Sequence, residues 1–192
     1  MYKKHNVLDV FVELELRDKE GKLIRKRRFK SKTWVRNLIA ILNRQMGGDA
    51  NVQETGGSQG SWTGLQVNAG QNVDGYGIQV GTGSNPWAYD QYKLQSQISH
   101  GTDTGKMMYG ACSVSSLVSI TNGLKYFVSR VFTNGTSDTI TVREIGLVVF
   151  IALSGPPWGV TVMIARDVLS PYIDVPAGSS LTVRYVIQWS WA

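Results

Sequence analysis

Beyond Lys106 the chain reads almost wholly as β-strand, and that run limits the fold more than any other feature. Apolar residues recur at strand spacing over about residues 107–120, 124–133, 138–152, 159–168 and 180–191, separated by the turns "TNG", "NGTSD", "SGPPWG" and "DVPAGSS". Strands bounded by Gly, Pro and Asn point to antiparallel sheets, and so to a β-sandwich or jelly roll. The last strand is the clearest. Leu181, Val183, Tyr185, Ile187, Trp189 and Trp191 alternate with Thr182, Arg184, Gln188 and Ser190, which makes one face wholly apolar. Two tryptophans this close to a chain end need a dry partner, either the core or another subunit.

Upstream, Leu8, Val10, Val12, Leu14 and Leu16 alternate with charged residues, "RDKEG" reads as a turn, and "KLIRKRRFKSK" returns as a second strand. From Thr33 to about Met46 the period changes to that of a helix, with Val35, Leu38, Ile39, Leu42 and Met46 on one stripe and Gly47-Gly48 as the stop. Residues 47–76 hold no Lys or Arg, are rich in Gly, Asn, Gln and Ser, and show no sustained period. A stretch of this kind is expected to be an interaction loop or disordered. The expectation is therefore a mainly β chain with two parts. Residues 1–32 form a basic β-hairpin arm, and residues 33–192 form a β-sandwich domain with one short helix and a Gly-rich loop at 47–76.

The net charge of +6 is unevenly spread. Residues 1–44 hold thirteen Lys and Arg against five Asp and Glu, a net +8, so the remainder is slightly acidic. Arg25, Lys26, Arg27, Arg28, Lys30 and Lys32 fall on both sides of the second strand. They are expected to meet packaged nucleic acid or an acidic face of a neighbouring protein. The plain alternative is a solvated edge strand that its lysines protect from pairing.

The stretch "GIQVGTGSNPWAYDQYKLQSQI", residues 77–98, raises the question of a phosphate cradle, since it sets a strand and a Gly-x-Gly turn before a polar segment with apolar residues at helical spacing. Context rejects it: Ser84-Asn85-Pro86 stands where a phosphate loop wants its lysine, and the chain after residue 106 is nearly all strand rather than alternating strand and helix. Other chemistry is equally thin. His5 and His100 lack a nucleophile context, the carboxylates are scattered, and Cys112, the one cysteine, sits among small residues as a packed thiol would. Asn134-Gly135-Thr136 reads as a turn rather than a glycosylation site. No enzyme activity, cofactor or metal is expected. No secretory signal is visible, and the longest apolar run, Ile145–Leu153, is too short to cross a membrane as a helix.

An ordered set of segments resembles structural proteins of tailed bacterial and archaeal viruses: a short helix "VRNLIAIL" (Val35–Leu42), a Gly-rich segment, "IQVGTG" (Ile78–Gly83), a polar stretch with Leu94 and Ile98, "REIGL" (Arg143–Leu147), and "LTVRYVI" (Leu181–Ile187). The likeness runs over residues 33–191. It implies a non-enzymatic virion component of the tail, tail-fibre or baseplate-associated kind, made in the host cytoplasm and assembled with itself or with other virion proteins. It also implies structural roles for Glu144 and Gly146, the carboxylate tying down a turn. The basic hairpin lies outside the pattern and leaves the place in the virion open, including the neck or capsid. Trp62, Trp87, Trp189 and Trp191 are the candidate assembly contacts. Two alternatives differ in kind: a glycan- or receptor-binding sandwich using Trp62, Trp87, Tyr89 and Tyr92, and a nucleic-acid-binding accessory protein using the hairpin. The hairpin's own aromatics, Phe29 and Trp34, are few for base stacking.

Overall fold

In the computed structural model, residues 7–31, 34–62, 64–153 and 158–190 are described. The described residues are mainly β, with 52% strand against 6% helix. Its elements are β1 (Val7–Arg17), β2 (Leu23–Lys30), α1 (Arg36–Gln45), β3 (Val52–Gln53), β4 (Gln59–Gly60), β5 (Gly77–Gly81), β6 (Met108–Tyr109), β7 (Ser113–Val114), β8 (Val118–Ile120), β9 (Gly123–Thr133), β10 (Ile140–Ala152), β11 (Gly159–Val175) and β12 (Ser180–Ser190). All pairings between strands are antiparallel. One sheet runs β2-β1-β12-β9, with the short β6, β7 and β8 along the far side of β9. A second runs β11-β10-β5, and β3 and β4 form a small ladder. Side chains of both large sheets meet in one buried cluster: Val10, Val12 and Leu14 of β1, Val183 and Tyr185 of β12, Ile145 and Val149 of β10, and Val162 of β11.

The hairpin is therefore not an arm laid outside the body. β1 pairs with β12 along its whole length, from Val7↔Ser190 to Arg17↔Ser180, because its apolar face is needed in the core. β2 is an edge strand, and its charge is arranged by side. Lys26, Arg28 and Lys30 lie opposite Glu15, Glu13 and Phe11 on the outer face of the sheet, whereas Arg25, Arg27 and Phe29 lie on the core side. Charges turned inward on an edge strand block further pairing. Arg27 also joins the two sheets at this edge, donating to the carbonyls of Ser170 and Pro171 at 2.5 and 2.6 Å.

The helix forms within the expected range but is turned. Asn37, Ala40 and Ile41 are buried, while Ile39 is 63% and Met46 88% exposed. Asn37 decides the rotation: its amide exchanges two hydrogen bonds with the backbone of Gln53, at 2.7 and 2.9 Å, and donates to the Met163 carbonyl. Three bonds to main chain outweigh the apolar stripe that pattern alone would bury. The polar segment after Gly83 has no helix. Leu94 and Ile98 are nevertheless both buried, as residues of a loop that covers the second sheet. The sequence also ends β11 at 168, whereas the strand continues to Val175.

Candidate functional site

Three regions carry the features from which a function can be argued. The first is the "VGTG" turn. β10 has register shifts between Val142 and Glu144 and again between Leu147 and Val148. After the first shift Ile145, Leu147 and Val149 join the main core. Glu144, Gly146 and Val148 alternate with them on the opposite face of the sheet, where Gly146 pairs with Arg166. Glu144 and Arg166 are both fully buried, with Arg166 Nε donating to Glu144 Oε2 at 2.6 Å. The same carboxylate accepts N–H bonds from Gly83 and Ser96 at Oε1 (3.1 and 2.8 Å) and from Gln95 at Oε2 (3.1 Å). This is the geometry of an anion nest, and its anion is the chain's own side chain. The glycines are required by that approach: a Cβ on Gly83 would stand 2.4 Å from Glu144 Oε1, and one on Gly81 2.5 Å from the Ser96 carbonyl oxygen. Gly146 lets Leu94 close over the sheet, since a Cβ there would stand 2.9 Å from Leu94 Cδ2.

The second region is the long loop. It is not loose. Arg130 of β9, 1% exposed, donates from Nε to Gly110, from Nη1 to Tyr76 and Ile78, and from Nη2 to Gly70 and Val73, all through backbone carbonyls. Its guanidinium also lies over the Tyr109 ring at 4.7 Å. Five carbonyls take the place of a carboxylate, and burial pulls the Arg130 pKa down. Nothing in the sequence of residues 47–76 signals this, because the anchor lies on a strand some sixty residues away.

The third region is the end of the body beside α1. Leu8, Leu38, Leu42, Leu65, Val114 and Ile187 line an apolar cavity of about 310 Å³. Leu8 is 64%, Leu42 40%, Leu65 41% and Val114 47% exposed.

The predicted contact residues are dispersed. Lys26 pairs with Glu15 at 2.9 Å, Arg28 with Glu13 at 3.3 Å, and Lys30 with Asp9, so part of the basic charge is neutralised within the sheet. Glu15 is also reached by Arg184 at 3.3 Å and Arg17 at 3.5 Å. The Lys26 hydrogen bond and these neighbouring cations hold its carboxyl below the usual range. Trp62 packs on the main core, whereas Trp87 and Trp189 are 39% and 40% exposed. Lys32 and Trp191 lie outside the described residues. The Cys112 thiol is buried, which pushes its pKa up. His100 Nδ1 accepts the Tyr109 N–H at 3.1 Å, a fold-holding bond. Asn134 is buried and bonded to the carbonyls of Asp138 and Val175, which closes the turn it starts. Among the described residues no cluster of His, Cys, Asp and Glu is placed to hold a metal, and no helix is long and apolar enough to cross a membrane. Compared with family models, curated proteins and solved structures, the chain gives no significant match.

Proposed function

We propose that this chain is a non-enzymatic structural subunit that assembles, through the α1 end of the body, with copies of itself or with other proteins of a virus particle. The observation that carries the assembly reading is the outward apolar stripe of α1. Ile39, Leu42 and Met46 are exposed beside a cavity rimmed by Leu8, Leu65 and Val114. Apolar surface gathered in one place on a folded chain is a mark of an interface. The virion setting rests on the sequence resemblance alone. We read the two large sheets as the layers of a β-sandwich, a reading supported by the single buried cluster that both supply.

Light scattering across a concentration series tests the assembly. The wild type is expected to grow in mass with concentration, and an Ile39→Glu/Met46→Glu variant to stay monomeric with an unchanged melting temperature. Both positions are solvent-facing, so failure to fold would be no excuse. A wild type that stays monomeric at high concentration, and is absent from purified particles of its source, would defeat the proposal. Deleting residues 49–75 is not an equivalent test, since Gly70 and Val73 in that span hold Arg130.

A further inference from the structure

The outer face of the seven-stranded sheet carries a second feature, on the side of the sheet opposite the apolar cavity. Strand register sets Lys30, Phe11, Val186 and Phe127 in one row across β2, β1, β12 and β9, and Arg28, Glu13, Arg184 and Ser129 in the next. Where these rows meet, Glu13, Arg28, Lys125, Phe127, Arg184 and Val186 line a shallow cavity of about 250 Å³. Two aromatic side chains thus share one sheet face, two strand spacings or about 10 Å apart. Each has a guanidinium above it: Arg28 over Phe11 at 4.1 Å and Arg184 over Phe127 at 5.8 Å.

The charge on this face does not cancel. Arg17, Lys26 and Arg184 share the single carboxylate of Glu15, and Lys125 has no ion-pair partner among the described residues. Glu13 sits in the cavity wall, but Arg28 engages it at 3.3 Å and offsets its repulsion of an anion. The basic strand β2 alone offers one aromatic, Phe29, too few for base stacking; β1 and β9 supply Phe11 and Phe127.

We infer that this face binds single-stranded nucleic acid, with bases stacking on Phe127 beside Val186 and on the Arg28 guanidinium plane that covers Phe11, and phosphates meeting Lys125 and the N–H edges of Arg28 and Arg184. Aromatic rings between surplus cations suit exposed bases joined by phosphates. A duplex keeps its bases stacked internally and has no use for the rings. An acidic protein face would use the cations but not the aromatic row. The inference does not depend on the assembly reading, since the two surfaces are on different sides of the sheet.

Fluorescence anisotropy with a labelled oligothymidine at low salt tests it on the full chain, with a hairpin duplex and polyglutamate as rival probes. Oligothymidine is expected to bind more tightly than either rival. Arg28→Gln/Lys125→Gln should weaken it and lower the log–log salt slope by about 0.7 for each phosphate no longer neutralised. Phe127→Leu keeps an apolar side chain and should weaken binding roughly tenfold with the slope unchanged. Lys19→Gln/Lys22→Gln, in the β1–β2 turn, should do nothing. Melting curves of each variant separate lost binding from lost fold, and Lys125→Gln alone removes a cation that holds no ion pair. Absence of binding at low salt, equal affinity for the duplex with Phe127→Leu silent, tighter binding of polyglutamate, or an equal effect from the turn variant would each overturn the proposal.

Discussion

Two fully buried arginines each pin a glycine-rich segment to a sheet, and they do so by opposite means. Arg166 meets a carboxylate: Glu144 takes its Nε, while Nη1 reaches the Asn85 carbonyl at 3.2 Å and Gln91 Oε1 at 3.0 Å, and Nη2 has no hydrogen-bond partner among the described residues. Arg130 meets no carboxylate, yet every one of its nitrogens is bonded, to five main-chain carbonyls. The first arrangement is a charge pair that also serves three backbone N–H groups. The second is a cation solvated by peptide dipoles, and what it organises is backbone alone. A polar, glycine-rich stretch can be ordered where its carbonyls have somewhere to point.

The largest expected effect separates the two centres at once. Replacing Arg130 with Met removes the donor from the buried Ile78 carbonyl and from the part-buried carbonyls of Gly70, Val73, Tyr76 and Gly110, and each acceptor left unpaired away from water costs on the order of 1–3 kcal/mol. Even two or three such losses are a large share of the stability of an ordinary domain, so the variant is expected to melt well below the wild type. Lys is no substitute, with three donors on a single nitrogen. A melting temperature within a few degrees of wild type would mean that water replaces the guanidinium, and the contrast with Arg166 would lose its basis.

At the other centre a neutral rescue is available. Glu144→Gln leaves the Arg166 charge buried and unpaired and turns an amide N–H₂ toward N–H donors, an expected loss of about 3–5 kcal/mol. Adding Arg166→Met removes the orphaned charge, and the double variant should recover part of the loss, with a coupling of about 1–3 kcal/mol in a double-mutant cycle followed by denaturant unfolding. Arg130 has no ion-paired carboxylate among the described residues whose removal could compensate. Additive losses at Glu144 and Arg166 would show that the pair holds the turn through its separate backbone bonds rather than through charge.

These centres also mark where the sequence stops being legible. The long strands β9, β10 and β12 and the existence of α1 follow from period and turn residues, because each is decided within its own segment. The structural part of Glu144 and the close approach at Gly146 follow from the "REIGL" resemblance. The anchoring of residues 70–76 does not, since its cause, Arg130, is one basic residue in a strand whose neighbours look ordinary. The facing of α1 escapes for a similar reason: Ile39 and Met46 lose the core to Asn37, whose partners Gln53 and Met163 are distant in sequence. The outer face combines Phe11 with Phe127, and only the strand order β2-β1-β12-β9 puts them in one row. Local pattern records what a segment prefers; it does not record which segment becomes its neighbour.

The smallest expected effect sharpens the contrast through the ring under Arg130. Tyr109, 1% exposed, donates its hydroxyl to the Ile98 carbonyl at 2.6 Å, and burial pushes its pKa up to about 12 from 10. The folded chain therefore keeps this proton at a pH where the unfolded chain has lost it. Stability from this group is fully present below pH 10 and is lost as pH rises through about 12, a fall of about 2–3 kcal/mol across that window. Tyr185 adds a loss of the same sign, because burial and the neighbouring Asp167 carboxylate raise its pKa as well. Alkaline denaturant titrations of the wild type and of Tyr109→Phe check the first share: the variant should start less stable, having given up the Ile98 bond, but lose less between pH 10 and 12. The carboxylate centre has no tyrosine among its bonded partners, so the Glu144→Gln/Arg166→Met variant should keep the wild-type alkaline slope. Equal slopes in the wild type and Tyr109→Phe would show that the hydroxyl reaches solvent, and with it that the Arg130 centre is wetter than its bonds imply.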